Sequence, residues 1–195
     1  MNLSEEAQAS EGNLIQLARQ GDEAAWESLV RDHQEAIFRL AYLFLYDGDE
    51  AQDVAQEVFL RAYHHLDGFD ASRPLRPWLL SITANLARNR RRSLGRYWAA
   101  LTRWFNTQPP ADSGVEALSG SRLQSQSLWK AIRQLGQPDQ EIIYLRYFLE
   151  LSVSETAETY HVAEGTVKSR LHRALAKLRE VIEREHPDLR EFRDE

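Results

Sequence analysis

The chain has 195 residues, 43% of them hydrophobic and 28% charged, with a net charge of −6 and no cysteine. That balance excludes a disordered chain, disulfide staples and thiolate metal sites, and no apolar run approaches the roughly 18–20 residues that cross a bilayer. The length has room for one medium domain or two small ones, and the nine Gly and six Pro are spread through long patterned segments, which favours helices. The opening stretch MNLSEEAQASEGN is acidic and polar. It therefore reads as no secretory signal and, with the lack of cysteine, points to a cytoplasmic protein without direct membrane insertion.

The charge is sharply divided. Residues 1–70 carry 15 acids against 4 bases, residues 71–111 carry eight Arg and no acid, and residues 112–195 carry 12 bases against 15 acids. In the last segment the bases concentrate between Lys168 and Arg184. Local basic stripes can supply phosphate contacts while the remaining acidic surface repels nucleic acid. Any one charge run is most simply a solvated helix face. Two basic islands, each on a helix with an apolar opposite face, point further.

In chain order, Leu14, Leu17 and Ala18 give a short amphipathic stretch ending at Gly21, and Asp22 is placed to cap the next helix. Apolar positions at Ala25, Trp26, Leu29, Val30, Ile37, Leu40, Ala41, Phe44 and Leu45 predict a helix over 22–46. After the Asp47-Gly48-Asp49 turn, Ala51, Val54, Ala55, Val58, Phe59, Ala62 and Leu66 predict a third over 49–66. A fourth begins near Pro77, where a first-turn proline is harmless, with Leu75, Trp78, Leu79, Ile82 and Leu86 facing inward. Between about Leu94 and Gln124 the periodicity fades. Pro109-Pro110, Ser113-Gly114 and Ser119-Gly120-Ser121 read as a flexible linker over 94–121. Tyr97, Trp98, Trp104 and Phe105 ahead of it are read as an extension of the fourth helix that packs locally.

The second half again looks helical, over 122–135, 139–149, 152–160 and 164–184. No strand-like alternation and no internal repeat is evident. The chain therefore reads as all-α, with two small helical domains over 12–93 and 122–184.

The most specific signal runs from Leu151 to Leu178. Ser152 with Glu155 forms a capping box, Ala157 is small enough for a close helix crossing, and a turn at His161–Glu164 leads into a second helix. There Val167, Leu171, Ala174, Leu175, Leu178 and Ile182 share one face, while Ser169, His172 and Arg173 point away, flanked by Thr166 and Lys168. A helix N-terminus favours phosphate, and Ser, Thr, Lys and Arg reach backbone or base edges in a major groove. The pattern is that of a DNA-reading helix-turn-helix.

This stretch resembles region 4 of extracytoplasmic-function sigma factors in the sigma-70 family, through Leu151, Ser152, Glu155, Ala157, Val162, Glu164 to Leu171, Arg173 and Ala174. It departs at Thr156, Tyr160 and His161, the last where Gly is frequent, so the turn is expected to be slightly strained. The resemblance implies that Thr166, Lys168, Ser169, His172 and Arg173 meet the minus-35 promoter element.

On the third helix Asp53, Gln56, Glu57 and Leu60 fall at i, i+3, i+4 and i+7, a polar stripe beside the apolar one. The surrounding DVAQEVFLRAYHHLDGF resembles region 2 of the same family. By that resemblance Asp53, Gln56, Glu57 and Leu60 contact core RNA polymerase at the β′ coiled coil, with the β flap a further contact. On the fourth helix Asn85, Arg88, Asn89 and Arg92 share an outward face, and the match to the family places them at the minus-10 element. The preceding loop, Phe69 to Arg76, would capture an unstacked base of the melted strand, with Phe69 as readily a core residue. The linker would thread toward the polymerase active site. An anti-sigma factor, often membrane-anchored, is a further implied partner, able to hold the protein at the inner membrane.

An enzyme reading has little support: no Gly-rich phosphate loop, H-E-x-x-H or G-x-S-x-G occurs, His64-His65 has no spaced metal partner, and no cofactor is implied. The alternative is a stand-alone helix-turn-helix regulator, which would need a sensing or phosphoacceptor domain that residues 1–93 do not resemble.

Overall fold

The computed structural model describes residues 3–105 and 122–185, with side chains described for 10–96 and 127–185. The chain divides into two compact units, residues 1–111 and 112–195. Among the described residues there is no strand, and no helix is long and apolar enough to cross a membrane.

The first unit contains α1 (Leu3–Arg19), α2 (Glu23–Leu45), α3 (Gly48–His65), a 3-10 turn (Leu66–Gly68) and α4 (Leu75–Phe105). The short sequence punctuations set the helix ends. Asp22 accepts a hydrogen bond from the Ala25 N–H at 3.0 Å and so caps α2, as expected, and Asp47 caps α3 through the Glu50 N–H at 2.9 Å. Glu23, Asp49 and Glu50 place negative charge in the first turns, where the helix dipole favours it. Gly21, at φ +88°, supplies the left-handed turn between α1 and α2.

The core of this unit lies among α2, α3 and α4, with α1 laid against α2. Leu29, Ile37, Leu40 and Phe44 bury their side chains from α2, and Val54 and Val58 from α3, each such burial contributing about 1.5–3 kcal/mol. Ala51, Ala55, Ala62, Ala84 and Ala87 are also buried, and their small side chains let α3 and α4 approach closely.

Some expectations for this unit need correction. The first helix is far longer than the short stretch around Leu14, because Ala, Glu and Gln upstream are good helix formers. On α4, Leu75 and Leu79 are buried as predicted, but Leu80, Thr83, Ala84 and Ala87 complete the buried face, while Trp78, Ile82 and Leu86 are half-buried at its rim. The helix starts at Leu75 and runs on through Phe105, so the stretch 97–105 extends it as expected, past position 94 where the linker was expected to begin. The side chains of Tyr97, Trp98, Trp104 and Phe105, and the rest of the expected linker, lie outside the described residues.

The second unit contains α5 (Arg122–Arg133), α6 (Gln137–Ile143), a π turn (Tyr144–Phe148), α7 (Val153–Tyr160) and α8 (Glu164–Glu185). The expected helix over 139–149 is thus two pieces: α6 starts earlier, with Pro138 in its first turn, and ends in the π turn. There the Leu149 N–H reaches the Tyr144 carbonyl at 2.9 Å, and Glu150 takes a left-handed conformation at φ 57°. Trp129, Tyr144 and Phe148 pack together, with the Trp129 and Phe148 rings 4.6 Å apart. The capping box forms in full: Glu155 N–H donates to Ser152 Oγ at 3.1 Å, and Ser152 N–H to Glu155 Oε2 at 2.7 Å. His161 sits at φ 53°, the left-handed cap that glycine would occupy more easily, and the Val162 N–H closes the end of α7 on the Ala157 carbonyl at 3.0 Å.

Candidate nucleic-acid interface

In the second unit α8 is built with one dry face and one wet face. Val167, Ala174 and Val181, spaced by seven, are buried, while Lys168, Ser169, His172 and Arg173 are exposed and Thr166 is half-buried. All five predicted residues therefore lie within the first three turns of one helix. Ser169 Oγ donates to the Thr166 carbonyl at 3.1 Å, and Arg173 Nε to the Ser169 carbonyl at 3.3 Å, so the two side chains lie along the helix surface. Lys168 stands 3.9 Å from Glu164, a loose exposed pair that costs little to part.

Behind α8, α7 is fixed by a buried polar cluster. Glu141 is buried and accepts from Gln137 Nε2 at 2.8 Å and from the Tyr160 hydroxyl at 3.1 Å. Thr156, fully buried, turns its hydroxyl to the Ser152 carbonyl at 2.8 Å. Of these, the Tyr160 contact links α7 to α6, while the Thr156 hydroxyl is satisfied within its own helix. Lys177 of α8 also pairs with Asp139 of α6 at 2.5 Å.

In the first unit α4 carries Asn85, Asn89 and Arg92 exposed and Arg88 half-buried along one face. Arg88 Nη1 donates to Asn85 Oδ1 at 3.0 Å, and its guanidinium lies 6.0 Å from the Phe44 ring centroid. The basic run is not one surface, however. Arg90 turns to α3, bridging Glu50 and Asp53, the latter at 3.4 Å, and Arg91 donates to the Phe44 carbonyl at 3.4 Å. The hydrogen bond and charge of Glu50 raise the already high Arg90 pKa. Arg90 carries no periodic signal that separates it from its neighbours, so sequence alone did not single it out.

On α3 the four-residue stripe is present but uneven. Asp53 has its side chain 67% exposed beside Arg90, Gln56 is exposed, and Glu57 is half-buried in an i, i+4 pair with Arg61 at 2.7 Å. Leu60 is 59% exposed, although it is a large apolar side chain. It borders a groove of about 530 Å³ walled by Trp26, Phe59 and Tyr63, with Gln56 on its lip. The Tyr63 ring meets Trp26 edge-on at 5.2 Å. Trp26 was expected in the core; it is half-buried in the groove wall.

The loop before α4 is held by contacts of its own residues. Phe69 is only 9% exposed and lies 4.8 Å from Trp78, ring to ring. Asp70 accepts from the Ser72 hydroxyl at 2.7 Å and from its N–H at 3.0 Å, and these bonds hold its carboxyl below the usual aspartate range. Sequence reasoning missed the α1 side chains that brace this loop, Glu11 and Arg19, whose partners lie dozens of residues away.

The family models described as Sigma-70 region 2 and Sigma-70, region 4 match residues 29–97 and 125–178. The ECF RNA polymerase sigma factor SigW of Bacillus subtilis is 32% identical over 177 residues, covering 86% of this chain and 94% of its own length. The RNA polymerase sigma-H factor of Pseudomonas aeruginosa is 32% identical over 193 residues, covering 94% and 98%. Of solved structures, CnrH in complex with the cytosolic domain of CnrY matches with a TM-score of 0.67 at 25% identity, over 90% of this chain and 98% of that one. The sigma factor RpoE in complex with the anti-sigma factor NepR, from Bartonella quintana, matches with a TM-score of 0.65 at 25% identity, over 82% and 97%. With two matched regions in order and relatives similar over nearly their full length, the chain belongs to the sigma-70 family, among its extracytoplasmic-function sigma factors.

Proposed function

We propose that this chain binds core RNA polymerase, recognises the minus-35 and minus-10 elements of a promoter and assists DNA melting, with the chemistry of RNA synthesis left to the polymerase. In this reading α8 enters the major groove of the minus-35 element with Thr166, Lys168, Ser169, His172 and Arg173. Asn85, Arg88, Asn89 and Arg92 of α4 meet the minus-10 element, and the loop Phe69–Arg76 takes a splayed base. Asp53, Gln56, Glu57 and Leu60 dock on the β′ coiled coil. Residues 12–93 and 122–184 are then the two binding domains, and 94–121 joins them. The β flap is the further polymerase contact of this reading. The supporting observation is that each unit holds a helix with a buried apolar face and an opposite stripe of amide, hydroxyl and cationic groups, the mixture that base edges and phosphates together require.

A protein inhibitor fits the same reading, since CnrH and RpoE are each seen with a bound protein, CnrY and an anti-sigma factor respectively. We extend such a partner to this chain, which would work in the cytoplasm and could be retained at the inner membrane by its inhibitor.

The test compares promoters with and without a minus-35 element. Arg173→Ala should lower initiation about tenfold where the element is needed, the loss of one good base or phosphate contact, and leave the other promoters unchanged. Equal losses at both would contradict the assignment.

A further inference from the structure

One helix, α1, holds the loop between α3 and α4 at three points. At the loop's entry Arg19 Nε donates to the Leu66 carbonyl at 3.0 Å, and its Nη2 donates to the Phe69 carbonyl. Midway, α1 passes so close that a Cβ on Gly12 would stand 3.3 Å from the Ala71 carbonyl oxygen. At the exit Glu11 Oε2 accepts the N–H of Leu75, the first residue of α4, at 2.9 Å. The other Glu11 oxygen accepts from Nε2 of the buried His33 at 3.1 Å, which ties the brace to α2.

A surface loop needs no such support merely to connect two helices, because water satisfies its backbone groups. Here an arginine and a glutamate from 47–64 residues away are spent on backbone atoms of one short segment. Ordering long charged side chains costs conformational entropy, and the return is a loop already fixed before it meets a ligand. The ligand of this loop, by the function proposed above, is a splayed nucleobase, whose capture is weakened by every degree of freedom the loop must lose on binding.

We propose that α1 preorganises the loop of residues 69–74 for base capture, so that Arg19 and Glu11 are positioning residues for promoter melting, with Gly12 the site of close approach. The inference rests on the proposed role of that loop. Neither side chain needs to touch DNA.

The test uses the complex of this chain with core RNA polymerase and single-stranded oligonucleotides carrying the non-template minus-10 strand of a promoter that the chain activates. Each base is replaced in turn by an abasic site. For the wild type, one position should show about tenfold weaker binding when its base is removed. Arg19→Gln and Glu11→Gln should bring that ratio close to one, with affinity for core polymerase unchanged. Gly12→Ala offers a second probe, because its Cβ crowds the Ala71 carbonyl; it should also reduce the ratio, with affinity for core polymerase unchanged. Variants that keep the wild-type ratio would overturn the inference. So would variants that weaken intact and abasic strands alike, which would mark α1 as a support of the fold alone. A wild type insensitive at every position would instead remove the loop's proposed role, and the inference with it.

Discussion

Asp53, Gln56 and Glu57 lie on one stripe but are not equally available to a partner. Asp53 is shared with Arg90, and Glu57 with Arg61, so a basic partner must compete with an arginine already present. Gln56 has no charge to share and sits at the lip of the groove beside Leu60. Gln56→Ala is therefore the clearest single-residue probe of core binding. It should weaken affinity for core polymerase about three- to tenfold, the worth of one hydrogen bond, with the helical circular dichroism unchanged. Unaltered affinity would contradict the docking assignment. Glu11 offers a second test at this scale. Burial alone would raise its pKa, but the hydrogen bonds from His33 and the Leu75 N–H, with the charge of His33, hold it below the ordinary glutamate value. A depressed folded value means that its stabilisation is present above the unfolded pKa of about 4.3 and is lost as the pH falls through the folded value. Thermal midpoints measured on acidification should thus fall more steeply for the wild type than for Glu11→Gln, and parallel curves would show that the pair contributes nothing.

Among the elements, the helix-turn-helix was the most legible, because its determinants are local. Ser152 and Glu155 are three residues apart, and the wet and dry faces of α8 follow from spacing within one helix. The rotation of α4 was less legible. Its buried face includes Ser81 and Thr83, whose hydroxyls donate to the Trp78 and Leu79 carbonyls at 2.7 and 2.8 Å. Hydroxyls satisfied inside their own helix can be buried cheaply, yet they read as polar in a hydrophobic pattern. The brace from α1 could not be read at all, since nothing local links Arg19 to Phe69. Tyr160 shows the same gap between pattern and structure: its hydroxyl reaches the buried Glu141 of α6 and so ties α7 to α6 behind α8. Tyr160→Phe should destabilise the second unit by about 1 kcal/mol, lowering its melting midpoint by several degrees, and an unchanged midpoint in calorimetry would show that the contact is idle.

At the scale of the whole molecule, the charge division visible in the sequence acquires a physical meaning. Part of the basic excess of residues 71–111 is engaged within the unit, Arg90 by Glu50 and Asp53 at the surface and Arg91 by the Phe44 carbonyl, leaving the free stripe of α4 modest in charge beside an acidic remainder of its unit. Such a chain should bind duplex DNA poorly alone, since few phosphates can be neutralised against a repelling surface, and should gain specificity when polymerase supplies the rest of the contacts. A stand-alone regulator would behave in the opposite way. The most direct measurement is run-off transcription and footprinting on a promoter library, with the purified chain, with core polymerase, and with both together. Initiation at new sites and protection of both promoter elements should occur only when the two are combined. Protection by the chain alone with no new initiation, or failure of the folded chain to associate with core polymerase at low salt, would contradict the account.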